Sequence, residues 1–224
     1  MVSFLCYIYA YDKLVSQNMI TNKEELRFYL MADRMMNRGE FKPSMKSRLS
    51  NIFVPDLVMR WMKAMRYTAY YSRFGGGYKL LYYKWLLRYK KYSAKLGFSI
   101  GYEVFGYGLV IPHWGTIVVG GSNHIGNYAV LHTSTCIVDK ASTIGSGLYL
   151  SAGAIISNHV ELGDGVTIGA NSTVIDRRDD ICGVLMVGTP ATVKKESEPW
   201  FIRDGDRFHK RVEAIESLRE KMLR

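Results

Sequence analysis

No acidic residue stands between Arg60 and Lys95, although that stretch carries ten Lys/Arg. Its cations have no acidic partner within the segment. The net charge of the 224-residue chain is +10, the same as that of this one stretch. Three readings suit the segment: a solvated helical face with aromatics turned inward, a patch for a membrane surface, or a nucleic-acid surface. No RNA- or DNA-binding motif accompanies the charge, so nucleic acid is not expected as a partner. Cysteine is scarce. Cys6, Cys136 and Cys182 are odd in number and lack metal-ligand spacing, which excludes a disulfide scaffold and points to reduced thiols. No run of about 18 apolar residues occurs, so no membrane span is expected. The opening MVSFLCYIYAYDKLV has no basic n-region and no small-residue cleavage site, so no signal peptide is expected and the location reads as cytoplasmic. An inner-membrane surface is the location that the membrane-patch reading adds.

What is present is a count in sixes. Val119, Ile125, Leu131 and Ile137 stand six apart. One residue slips in, and Ile144, Leu150, Ile156, Leu162, Ile168 and Val174 continue the count. Gly follows at 120, 126, 145, 163 and 169. A small or β-branched residue often stands four after the aliphatic, as at Ala129, Thr135, Ala154, Val160, Val166 and Ser172. A repeat this short predicts a solenoid of very short strands, with one inward aliphatic per side. Three sides close a coil, so residue i stacks on i+18. The glycines are expected at tight corners with positive φ. The pattern is the signature of a left-handed parallel β-helix.

The flanks read as helices. Thr21-x-x-Glu24 has the form of a capping box ahead of ELRFYLMADRMM. Pro55 suits a helix start before Leu57, Trp61, Ala64, Met65 and Thr68 at helical spacing. GGG at 75–77 breaks that helix. KLLYYKWLLRYKKYSAKLG forms the next, with Gly97 as its C-cap. An irregular first coil follows from Phe98 to Pro112, and VGTPATVKK at 187–195 closes the solenoid. Phe208, Val212, Ile215, Leu218 and Met222 line one face of a charged C-terminal helix. The expected class is α+β: helical residues 1–97, a left-handed β-helix over 98–195, and a tail helix over 196–224.

Five histidines remain to be placed. His113 precedes Val119 by six, so the repeat would put it in an inward slot. By itself it reads equally as a polar residue tolerated in an irregular coil or as a functional imidazole. His132 lies nineteen further on, one coil up. It reads as a second site histidine or as an outward corner residue. His124 and His159 read as surface residues and His209 as a helix residue. A zinc-dependent anhydrase would need three converging histidines; His113, His124, His132 and His159 do not obviously converge.

GLVIPHWGTIVVGGSNHIGNYAVLHTSTCIV resembles the start of the solenoid in serine acetyltransferases and their relatives within the hexapeptide-repeat acyltransferases. There an H-x-x-x-I-V-V-G segment carries the catalytic histidine; the match is His113, followed by Ile117, Val118, Val119 and Gly120. VGTPATV resembles the coil-terminating segment near the coenzyme A site of the same superfamily. ITNKEELRFYLMADR resembles the leader of a subgroup found in bacterial surface-polysaccharide gene clusters. The resemblance implies an acetyl-CoA-dependent O-acetyltransferase with His113 as general base, and no metal. Moving acetyl from a thioester to a hydroxyl needs a base for the proton, and imidazole titrates near neutrality.

The departures bear on the acceptor. The serine enzymes have Asp before the histidine, where this chain has Pro112. GFSIGYEVFGYG offers only Glu103 as a carboxylate, and the loop bearing a second histidine is missing. A sugar hydroxyl of a surface glycan or its precursor is therefore the expected acceptor, with Trp114 and Glu103 as contacts and Phe105, Tyr107 and Tyr102 as further stacking rings. The alternatives are a serine O-acetyltransferase and a non-catalytic trimeric scaffold. Acetyl-CoA is expected along the later coils, with Gly169 and Ala170 beside the pantetheine and Lys194 and Lys195 at the phosphates. The expected assembly is a homotrimer, with a hexamer paired through the N-terminal helices as the larger alternative.

Overall fold

The structure, a computed structural model, describes residues 19–223. Cys6 and the opening segment read for a signal peptide lie outside the described residues. The solenoid has three walls of parallel strands. The first stacks β1 (Phe98–Ile100), β2 (Ile117–Val119), β5 (Thr135–Ile137), β8 (Ile155–Ser157) and β11 (Thr173–Ile175). The second stacks β3 (His124–Ile125), β6 (Thr143–Ile144) and β9 (Glu161–Leu162). The third stacks β4 (Val130–Leu131), β7 (Tyr149–Leu150), β10 (Thr167–Ile168) and β12 (Val184–Gly188), then turns back antiparallel into β13 (Ala191–Glu196). This is the left-handed β-helix that the hexads predict.

All ten aliphatics of the count are buried, none more than 2% exposed. Ile100, Val119, Ile137, Ile156 and Val174 form one inward column. Each such side chain contributes about 1.5–3 kcal/mol by leaving water. The slipped residue is absorbed at the corner holding Ala141, whose φ is +54°. Pairs that span it are nineteen apart, as His124 with Thr143, and pairs beyond it are eighteen apart, as Thr143 with Glu161.

The glycines after the aliphatics have another job than the expected one. None of Gly120, Gly126, Gly145, Gly163 and Gly169 has positive φ. They are small because the next coil lies against them. A Cβ on Gly120 would sit 2.3 Å from the Asp139 Cα, and one on Gly163 would sit 2.2 Å from the Cys182 Sγ. Positive φ falls later in each corner, as at Tyr128, Gly147 and Gly165.

Among the described residues four helices precede the solenoid: α1 (Lys23–Arg38), α2 (Met45–Phe53), α3 (Leu57–Tyr71) and α4 (Tyr78–Leu96). The first cap is one residue later than predicted. Asn22 caps α1 by accepting from the Glu25 N–H at 2.8 Å, and Glu25 reaches back to the Thr21 N–H. Pro55 lies two residues before the first residue of α3, because Asp56 caps the helix at the Met59 N–H. Gly97 ends α4 with φ +77°, as expected. Trp61, Ala64 and Met65 of α3 are buried in the same core as Phe98 and Ile100, so α3 and α4 cover the open first coil. The Tyr89 hydroxyl of α4 donates to the Ile100 carbonyl.

A buried ion pair locks this seam. The Arg66 guanidinium meets the Asp33 carboxylate at 2.8 Å and donates to the Phe105 and Gly106 carbonyls at 2.7 and 2.6 Å. Asp33 also accepts from the Gly108 and Leu109 N–H groups. Four of the five guanidinium N–H groups and both carboxylate oxygens are thus used, which is what offsets the desolvation of the pair.

After β13 the chain folds back through α5 (Trp200–Arg203) into α6 (Asp206–Met222). The predicted apolar face of α6 packs on α1 and on the aromatic flank of the third wall, with Val212 and Ile215 buried. Tyr107 donates to Glu216 at 2.9 Å, and Tyr128 donates to the same carboxylate. Among the described residues no helix is long and apolar enough to cross a membrane.

Candidate active site

The corner between the third and first walls gathers most of the predicted residues. Val110 bridges Val130, so Ile111 lies under Leu131 and takes the inward slot. From Ile111 to Val119 is eight residues, two more than a hexad. His113 therefore lies in an enlarged corner and is exposed, a correction to its expected inward place. Trp114 beside it is 71% exposed. Phe105 and Tyr107 are buried and Tyr102 is half-buried, so of the expected stacking rings only Trp114 stands free for a ligand.

His132 stands at the same corner one coil up. It is half-buried, and its Nε2 lies 2.8 Å from the Tyr149 hydroxyl. Burial first, and the positive charge of His113 second, hold its pKa below the ordinary histidine value, while Asp204 pulls the other way. The two imidazoles are therefore within electrostatic reach of each other. Burial, and then Asp204, push the Tyr149 phenol up, with Arg203 opposing. The 2.8 Å contact with the Tyr149 hydroxyl fixes the orientation of the His132 ring.

The fold-back segment completes this edge. The Arg203 guanidinium lies over the Tyr149 ring at 4.9 Å and donates to the Thr167 hydroxyl at 3.0 Å. It pairs with Asp204 at 2.7 Å. Trp200 anchors the segment by donating to the Tyr128 carbonyl at 2.8 Å. Sequence reading missed Tyr149, Arg203 and Asp204. Tyr149 had a signal: it precedes an inward aliphatic and stacks in register on Val130 below. Arg203 and Asp204 had none, because they reach the edge only through the return of the chain.

Gly169 and Ala170 stand at the same corner two coils above His132, about 10 Å up at the sheet spacing. Lys194 and Lys195 are exposed but lie along β13, four and five residues after Pro190 in the turn that tops this corner. Glu103 is not brought to His113. It sits at the corner between the first and second walls, where Arg73 of the α3–α4 connection holds it at 2.9 Å. His124 lies on β3 of the second wall, half-buried His159 pairs with Glu161 at 2.8 Å, and His209 lies on α6.

Residues 141–176 match the family model for bacterial transferase hexapeptide (six repeats). No curated protein matches the chain. Solved structures do. The serine acetyltransferase of Neisseria gonorrhoeae is 22% identical with a TM-score of 0.58, over 79% of this chain and 69% of that one. The soybean serine acetyltransferase apoenzyme is 21% identical with a TM-score of 0.57, over 75% of this chain and 69% of that one. A serine acetyltransferase in complex with CoA is 19% identical with a TM-score of 0.54, over 75% of this chain and 67% of that one. The repeat and the fold are thus those of hexapeptide-repeat transferases of the serine acetyltransferase type.

Proposed function

We propose that the chain is an acetyl-CoA-dependent O-acetyltransferase with His113 as general base. The observation that carries this reading is the position of an exposed His113 one coil below a half-buried His132, which meets the Tyr149 hydroxyl at 2.8 Å, on the edge that also holds Gly169 and Ala170. The acceptor hydroxyl attacks the thioester carbonyl while His113 takes its proton. A backbone N–H of the corner stabilises the oxyanion. Collapse expels the CoA thiolate, which recovers the proton from the imidazolium. The Tyr149 hydroxyl fixes the orientation of the His132 ring, so that ring acts as a positioning group beside the base. The thioester is already activated, and the step needs no metal.

The likeness to serine acetyltransferases supports free serine as acceptor better than a glycan hydroxyl. The fold-back segment adds a second support. Asp204, shared with Arg203, brings within electrostatic reach of His132 a carboxylate where Glu103 of the first coil does not reach, and an ammonium in a partly dry cleft needs one. The glycan reading keeps one observation of its own, the exposed Trp114 ring next to His113, which suits stacking on a pyranose. A homotrimer fits both readings, because parallel packing of three β-helices creates clefts long enough for a pantetheine arm. Light scattering at micromolar concentration tests it, and a monomer counts against it. Use of acetyl-CoA fits a cytoplasmic location.

The test is direct competition between serine and a panel of sugars and oligosaccharides, with acetyl-CoA as donor. Transfer to serine alone supports the first acceptor, and transfer to glycans alone supports the second. No turnover with either leaves the non-catalytic scaffold. His113→Ala should lower kcat by about 10²–10⁴ with CoA binding nearly unchanged in calorimetry. Wild-type turnover in that variant removes His113 from the mechanism. Reversing both charges at Lys194 and Lys195 should weaken CoA binding; unchanged binding removes their phosphate role.

A further inference from the structure

We infer that α2 and the pocket beside it form a docking surface for an anionic lipid bilayer. α2 buries no residue at all. Its apolar side chains Met45, Leu49, Ile52 and Phe53 are 78, 57, 69 and 83% exposed. They fall at i, i+4, i+7 and i+8, one face of a helix, and Val54 extends the patch. A contiguous apolar face this exposed marks an interaction site.

The charge around the face selects that partner. From Gly39 to Lys63 the chain has five Lys/Arg and two acids, both already paired, Glu40 with Arg34 and Asp56 with Arg38 at 2.6 Å. The adjoining pocket of about 820 Å³ lies between α1, α2 and α3. Arg27, Lys42, Arg48, Arg60 and Lys63 line it, together with Ile52 of the apolar face. Arg34 also lines it, and its buried Nε has no hydrogen-bond partner among the described residues. Cations around an apolar stripe match a layer of anionic headgroups over hydrocarbon. A second copy of the chain, docked face to face on α2, would set Lys42, Lys46 and Arg48 against the same cations. The pocket has the volume and charge for a headgroup phosphate at the rim of the inserted face.

The test is co-sedimentation of the full chain with vesicles, with gel filtration alongside. Binding is expected to vesicles containing phosphatidylglycerol, not to phosphatidylcholine alone, and should fall away in about 0.5 M salt. Ile52→Ser with Phe53→Ser should weaken vesicle binding by roughly tenfold or more, with the melting temperature unchanged because both side chains are exposed. Lys42→Glu, Lys46→Glu and Arg48→Glu together should do the same. Leu80→Ser with Leu87→Ser, on the exposed face of α4, should leave binding unchanged. The inference is overturned if anionic vesicles are not bound, if neutral vesicles bind equally, or if binding follows Leu80 and Leu87. Loss of a self-associated species in the Ile52/Phe53 variant would also overturn it, by assigning the face to a second copy.

Discussion

The inside of the solenoid and its outer covering follow different rules. Inside, each aliphatic of the hexad count is buried, because every coil presents the same slot to the coils above and below. The covering has no such repetition. α3 buries Val58, Trp61, Met62, Ala64 and Met65, while α2, only a few residues earlier, buries nothing. Both have helical apolar spacing, and only one has a partner surface. A repeat carries its own partner one coil away, whereas a covering helix depends on what the rest of the chain brings to it.

Breaking the seam between the two regions should have the largest effect. Arg66→Met strands Asp33 in a buried site and leaves the Phe105 and Gly106 carbonyls without their donor. A loss of about 3–5 kcal/mol is expected, read from urea denaturation. A small change would mean that water enters the seam and that covering and solenoid are less tightly joined than the contacts imply.

The next contrast is direct. Ile156→Ala empties an inward slot between Ile137 and Val174 and should cost about 2–5 kcal/mol. Leu49→Ala, on the exposed face of α2, should stay within about 0.5 kcal/mol. Comparable losses in the two variants would erase the distinction between interior and covering.

The smallest effect tests where the two regions meet, at His132. Its folded pKa lies below the unfolded value, so the unfolded chain takes up the proton first as pH falls. Stability should therefore decrease from pH 6.5 down to the folded pKa and level off below it. His132→Gln should flatten that slope, which denaturation at a series of pH values reads. A slope of the opposite sign would place His132 in a setting where Asp204 outweighs burial and His113. An NMR titration of the ring checks the same point directly.

Much of the fold was legible because its signals are local. The sixes from Val119 to Val174 determine the solenoid, its register and its inward column, since each residue packs against chemistry repeated eighteen positions away. Gly97 and the GGG at 75–77 mark helix ends for the same local reason. His113 could be singled out from the PHWGTIVVG stretch, although the count misplaced it because the first coil is two residues longer at that corner.

What only the tertiary structure decided involves partners far apart in the chain. Glu103 is a lone carboxylate in the sequence, but Arg73 holds it at another corner. The glycines look like turn residues, yet stacking distance is what excludes a side chain there. The Tyr149–His132 contact needs the wall register, and Arg203 and Asp204 need the fold-back through Trp200. No local pattern encodes that return, because its stabilisation comes from surfaces that exist only after the solenoid and the helices have packed.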